Sequence, residues 1–212
     1  MAAPTRNGAA GRPGRLIVLA GPSGVGKGAV RARLLAALPD LELSVSATTR
    51  LPRPGEVDGR DYFFLDRDRF DETIERGGFL EWADIFGERY GTPREQVEGS
   101  LAAGRDVVVE IDVQGARQVR AKAPDAFMVF LTPPSLRELE RRLRTRATET
   151  DQQIRRRLAK ASDELAAEPE FDATVVNDDL ETAARQVIEL VTALRRGTIA
   201  AGRHAVRRPQ QR

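Results

Sequence analysis

The 212-residue chain has no cysteine, which excludes disulfides, thiolate-held metals and a thiol nucleophile. Its one histidine, His204, stands in the arginine-rich stretch "GRHAVRRPQQR", away from any apolar pattern. No apolar run approaches the roughly 18 residues of a membrane span. The first residues, "MAAPTRNGAAGRPGR", carry arginines without an apolar segment, so no secretory signal is expected there. A cytoplasmic setting is the expectation. Lysine is scarce as well, three residues against 31 arginines. A lysine inside a glycine loop stands out against that background.

What remains is an ordinary globular composition, 41% hydrophobic and 31% charged. The length suits one domain with a substantial core, plus tails. The formal charge of +2 hides an uneven distribution. Residues 1–14 carry two arginines and 197–212 carry four, with no acid in either stretch. With those six set aside, 28 basic residues face 32 acidic ones, about −4 over residues 15–196. The expected layout is therefore a folded unit over 14–195 between disordered tails, 1–13 and a basic 196–212. Solvated tails explain the basicity, and no specific nucleic-acid partner is expected.

Apolar strand-like runs alternate with helix-period segments, which predicts an α/β fold with a parallel sheet covered by helices. Strands are expected at 16–20, 43–47, 107–111, 127–131 and 174–176. Helices are expected at 27–38, 93–103, 114–123, 135–144, 151–168 and 180–195, with Ser135 as an N-cap. Residues 50–92 break the alternation with turns, short aromatic strands, the one tryptophan and both tyrosines. Such an insertion reads as a substrate-binding subdomain or as a decorative hairpin.

The stretch "LIVLAGPSGVGKG" supplies the first chemistry. A strand leads into Gly21, Pro22, Ser23, Gly24, Val25, Gly26, Lys27 and Gly28, a GxxxxGK loop followed by a helix. Glycines let backbone amides wrap an anion, the helix N-terminus adds a favourable dipole, and Lys27 reaches the β- and γ-phosphates of a nucleoside triphosphate. The next position usually holds Ser or Thr to ligate magnesium, and here it is Gly28. A dinucleotide fingerprint also fits superficially from Gly24 to Ala29. It begins too far past the strand, and no acidic strand end follows about 20 residues on.

The segments "GPSGVGKG", "SVSATTRLPRPGEVDGRDYFF", "FLEWADIFGERYGTP", "VVVEIDVQGARQVR", "FLTPPSLRELERRLRTRATET" and "VVNDDL" occur in that order. In this the chain resembles the guanylate kinases over about residues 14–195. The resemblance implies a P-loop nucleoside monophosphate kinase fold, with a GMP-binding insertion at about 45–93 and a short lid at about 142–157. It implies transfer of the γ-phosphoryl of ATP to GMP, and to dGMP, with Mg2+ bound alongside ATP. Two alternatives stand beside it: an inactive guanylate-kinase-like protein-binding module, and a kinase for another nucleoside monophosphate.

By the same resemblance, Arg50 and Arg53 bind the GMP phosphate with the hydroxyls of Tyr62 and Tyr90. Planar guanidinium forks suit that role. Glu81 and Asp112 read guanine, whose N1–H and N2–H₂ are adjacent donors where adenine presents a lone pair. Ser46 and Thr92 add polar contacts. Glu110, at the end of a predicted strand, and Asp112 are expected to hold magnesium through water, although Glu110 could instead pair with an arginine. Arg142, Arg146 and Arg157 are expected to converge from the lid on the ATP phosphates, joining Lys27 and Arg50 in catalysis. Ala147 stands where most relatives have glycine. Asn177 is expected near adenine. Monomer and homodimer are both left open, and no membrane partner is expected.

Overall fold

Apolar runs far apart in sequence meet in one parallel sheet in the computed structural model, which describes residues 12–85, 87–145 and 151–201. Strand β1 (Leu16–Ala20) runs through the glycine loop into α1 (Lys27–Ala37), and β2 (Glu42–Leu43) follows. The chain then leaves the sheet to build a lobe from β3 (Ala47–Thr48), β4 (Phe63–Phe64), α2 (Arg67–Glu75), β5 (Phe79–Ile85) and β6 (Glu88–Pro93). It returns through α3 (Arg94–Ala102), β7 (Val107–Glu110), α4 (Val113–Lys122) and β8 (Phe127–Thr132). The remaining elements are α5 (Leu136–Thr145), α6 (Asp151–Leu165), β9 (Ala173–Val176) and α7 (Leu180–Arg196).

The core sheet has the order β2-β7-β1-β8-β9 with every pair parallel. Its central strand "LIVLA" is buried throughout, because helices cover both faces. On one face Val18, Val109 and Phe130 pack with Val113, Ala116 and Val119 of α4. On the other, Ile17, Leu19 and Val129 meet Val30 and Leu34 of α1 and Val187 and Val191 of α7. Each fully buried aliphatic side chain contributes about 1.5–3 kcal/mol, so this double-faced core dominates the stability. Parallel pairing also brings the ends of β1 and β7 to one edge, with Leu19 opposite Glu110. Ligands of open α/β sheets bind beyond such carboxyl ends.

The lobe is a mixed sheet, β4-β3-β6-β5, in which only β3 and β4 run parallel. Its small core is Ala47, Phe70 and Phe79, with the two rings 4.5 Å apart. Asp66 starts α2 by accepting the Arg69 N–H at 2.8 Å.

Three expectations are corrected. The single strand expected at 43–47 is split between the two sheets. The Gln96 carbonyl takes the Val45 N–H at 3.0 Å and the Ser44 hydroxyl at 3.1 Å, replacing strand pairing at the crossing. Helix α6 stops at Leu165 rather than 168, and a 3₁₀ turn at Glu168–Glu170 carries Pro169, which has no N–H to continue an α-helix. The folded chain also passes the expected tail start at 196, since Ile199 and Ala201 pack on the α1 and α7 side of the core. The Ser135 cap is present, accepting the Glu138 N–H at 3.1 Å. Among the described residues no helix is long and apolar enough to cross a membrane.

Candidate active site

The glycine-loop half of the site is built mainly from backbone. Gly26 precedes α1 at φ 98° without a side-chain cap, so the first helical amides are left facing the loop's concave side. Gly24 shares this left-handed geometry at φ 88°, which costs any other residue strain. A β-carbon at Gly26 would also lie 2.6 Å from the Asn177 amide nitrogen. That nitrogen donates to the Val25 carbonyl at 2.7 Å, and Asn177 is only 4% exposed. It buttresses the loop from within the fold.

Lys27 curls back over the loop and donates to the carbonyls of Gly21 at 2.7 Å and Pro22 at 3.3 Å. Burial pulls its pKa below the ordinary lysine value, opposed by the negative fields of Glu110, Glu164 and Asp112. From α6, Arg157 reaches the Ser23 hydroxyl at 3.4 Å. Arg142 is held by Glu138 at 2.8 Å and donates to the carbonyls of Asn177 and Asp178 at 2.8 and 3.3 Å. Arg146 and Ala147 lie outside the described residues.

A cleft of about 290 Å³ separates this loop from the lobe. Ser46, Arg50, Arg53, Tyr62, Glu81 and Tyr90 line its lobe wall. Ser23 and Lys27 face them, and Glu110 and Asp112 form the floor beyond β7. Arg50 donates through Nη2 to both oxygens of Glu56 at 2.9 and 3.0 Å, and its guanidinium lies 5.4 Å from the Tyr62 ring centre. The Glu56 bonds raise the Arg50 pKa and fix its charge. Glu56 also accepts the Arg53 N–H at 2.7 Å, so one carboxylate shapes the whole "RLPRPGE" turn. Tyr62 and Tyr90 meet edge to face at 6.0 Å.

Glu81 is the most unusual group in the cleft. It is 5% exposed, and burial pushes its pKa up to about 7, with the charge of Asp112 adding to the rise. The fully buried Thr92 donates its hydroxyl to Glu81 at 2.6 Å, which opposes that shift. Thr92 thus stands behind the carboxylate rather than on the wall. Helix α4 holds the strand that carries Glu81. The Gln118 amide pairs with both the N–H and the carbonyl of Trp82, at 3.2 and 2.6 Å, and Lys122 donates to the Leu80 carbonyl at 2.7 Å. Gly115, on the same helix face, leaves room for Glu81, and a methyl there would overlap its Oε2.

Asp112 caps α4 by accepting the Gly115 N–H at 2.9 Å, while its other oxygen faces Lys160 Nζ at 3.1 Å. Glu110 pairs with Arg31 at 2.9 Å, the arginine partner weighed for it as an alternative. A β-carbon at Gly28 would lie 3.8 and 3.9 Å from the two Glu110 oxygens, so the position without a hydroxyl borders this carboxylate directly.

Sequence reasoning did not find Arg31, Glu56, Gly115, Lys160 or Glu164. Two signals were available. Arg31 follows Lys27, and Glu164 follows Lys160, at the i,i+4 spacing that puts both residues on one helix face. A glycine inside an apolar-periodic helix, as at Gly115, marks a close approach.

A glycine loop at the edge of a parallel sheet, facing a lobe of arginines and tyrosines with a buried carboxylate, defines a P-loop nucleoside monophosphate kinase fold. The guanylate kinase family model matches residues 13–194. A guanylate kinase of Synechococcus sp. is 60% identical over 174 residues, covering 82% of this chain and 93% of that protein. One from Thermobifida fusca is 53% identical over 191 residues, covering 90% and 97%. The crystal structure of guanylate kinase from Anaplasma phagocytophilum superposes with a TM-score of 0.71 at 33% identity, covering 86% and 87% of the two chains. The chain belongs to the guanylate kinase family.

Proposed function

We propose that this chain transfers the γ-phosphoryl of ATP to GMP, and to dGMP, giving ADP and GDP. The observation that carries the reading is the placement of Glu81 and Asp112 on the same cleft as Lys27. A base-reading carboxylate pair and a triphosphate loop share one cleft.

Glu81 and Asp112 accept the adjacent guanine donors and meet a lone pair on adenine. A site whose buried polar groups lose their partners with the wrong ligand discriminates by several powers of ten. Arg50 and Arg53 hold the acceptor phosphate, Tyr62 and Tyr90 bond to it, and Ser46 adds a polar contact. The amides from Gly21 to Gly28 and the Lys27 ammonium hold the donor phosphates, with Arg142, Arg146 and Arg157 neutralising charge from the lid. Asn177 supports the loop near the adenine side. Phosphoryl transfer depends on alignment and on neutralising the equatorial oxygens, so direct in-line transfer needs no protein nucleophile.

The floor also fits a magnesium ion. Glu110, beside the space at Gly28, and Asp112, on the same cleft, offer hard carboxylate oxygens. Among the described residues no three acidic or histidine side chains form a cage. Magnesium retains several waters and is commonly held by one or two carboxylates and the substrate phosphates, so that donor set is sufficient. Held by Glu110 and Asp112 through water, it would supply charge neutralisation on the triphosphate when bound with ATP. Arg31, by pairing with Glu110 at 2.9 Å, orients that carboxylate. The reading places the enzyme in the cytoplasm, where nucleotide pools are recycled.

The test is a coupled ADP-release assay with ATP, magnesium and each of GMP, dGMP, AMP and UMP. Turnover with GMP and dGMP is expected, and its absence overturns the reading.

A further inference from the structure

One turn of α6 joins the two halves of the cleft. Glu164, 7% exposed, lines the cleft together with Ser23 of the phosphate loop. Four residues earlier on the same face, Lys160 Nζ lies 3.6 Å from Glu164 and 3.1 Å from Asp112. Lys160 also lines the cleft beside Lys27, close enough for the two ammonium groups to repel. Lys160 thus links Glu164 to Asp112 on the cleft that Ser23 and Lys27 of the phosphate loop also line.

We propose that Lys160 is a positioning residue that couples the two substrates, ceding Asp112 to guanine when a triphosphate occupies the loop. The proposal rests on the kinase reading above. Asp112 Oδ1 caps α4 and Oδ2 faces the Lys160 ammonium. Lys160 therefore competes with a guanine donor for Oδ2. A triphosphate on the loop brings several negative charges to the Lys27 side of the same ammonium and draws it from Asp112. Binding linkage is reciprocal, so guanine on Asp112 returns Lys160 to the phosphates and tightens the donor by the same factor. The two nucleotides cooperate through one side chain without touching each other there.

The experiment is calorimetric titration of GMP into the full chain, with and without a non-hydrolysable ATP analogue, at about pH 8.5 so that the raised Glu81 carboxyl is ionised. In the natural protein the analogue tightens GMP binding by about fivefold or more. In Lys160→Met that enhancement falls below about twofold, and GMP alone binds at least as tightly as to the natural protein, because its competitor is gone. Lys160→Arg keeps the charge and the enhancement, and Lys160→Gln replaces the Met variant should that fail to fold. Three results overturn the coupling: no enhancement in the natural protein, the same enhancement in the neutral variants, or GMP binding weakened equally with and without the analogue. Absence of GMP-dependent turnover in the natural protein instead overturns the kinase reading.

Discussion

The glycine loop and the lobe that faces it across the cleft are built in opposite ways. The loop is one contiguous stretch whose anion site is made of backbone, with glycines at left-handed φ and a single functional ammonium. The lobe gathers side chains from several elements, each braced by a further residue: Arg50 by Glu56, Glu81 by Thr92, and β5 by Gln118. A backbone site tolerates little change in conformation but asks little of side-chain chemistry. A side-chain site can be retuned one bracing residue at a time, which suits the half proposed to recognise a base.

If the halves are separable, Lys27→Ala lowers kcat by about a thousandfold, the scale of removing a charge that acts on the transferring phosphoryl group. GMP affinity by calorimetry changes by less than about twofold in that variant. Equal loss of GMP binding would show that the halves are one unit.

Gly115→Ala tests the bracing of the lobe. Its methyl displaces the Glu81 carboxylate without replacing any residue that lines the cleft. A rise in KM for GMP of roughly tenfold or more is expected, the cost of a misaligned hydrogen-bonded charge. KM for ATP and the melting temperature hold nearly constant. A fall in stability with KM unchanged would assign Gly115 to packing alone.

The pH dependence separates the halves as well. Glu81 is raised to about 7, so below that pH it is protonated and presents a donor to guanine donors. GMP affinity should rise with pH up to that midpoint, by at most about tenfold per unit, and level off above it. Glu81→Gln removes this component and leaves only the titration of the GMP phosphate itself, near a pKa of about 6. An identical profile in both proteins would refute the assignment.

The smallest effect is expected at Gly28. Serine fits there at ordinary contact distance from Glu110, so Gly28→Ser folds normally. With magnesium held by phosphates, water and the floor carboxylates, activity at limiting magnesium changes by less than about twofold. A severalfold gain would make the missing hydroxyl a real deficit.

The same contrast explains what was legible in the sequence. The loop is read from its spacing, because backbone motifs are local, and β1 and the start of α1 lie where periodicity places them. The lobe residues are identifiable only through resemblance to relatives. Arg50 and Glu81 taken alone read as exposed charges, and the folding that buries Glu81 brings in Thr92 and Gly115 from distant segments. Lys160 lies among the arginines of "RRRLAKASDEL", a pattern that reads as a solvated helix face until α6 is docked against the cleft. The split of the 43–47 run depends on Gln96, a partner about 50 residues away that no local pattern announces.

The central claim is that a buried carboxylate, rather than the phosphate sites, chooses the base. The most direct measurement is the ratio of kcat/KM for GMP to that for AMP in the natural protein and in Glu81→Gln. The account predicts a ratio of roughly a thousand or more in the natural protein, falling at least tenfold in the variant through loss of GMP activity while KM for ATP holds. A ratio that Glu81→Gln leaves unchanged would contradict it.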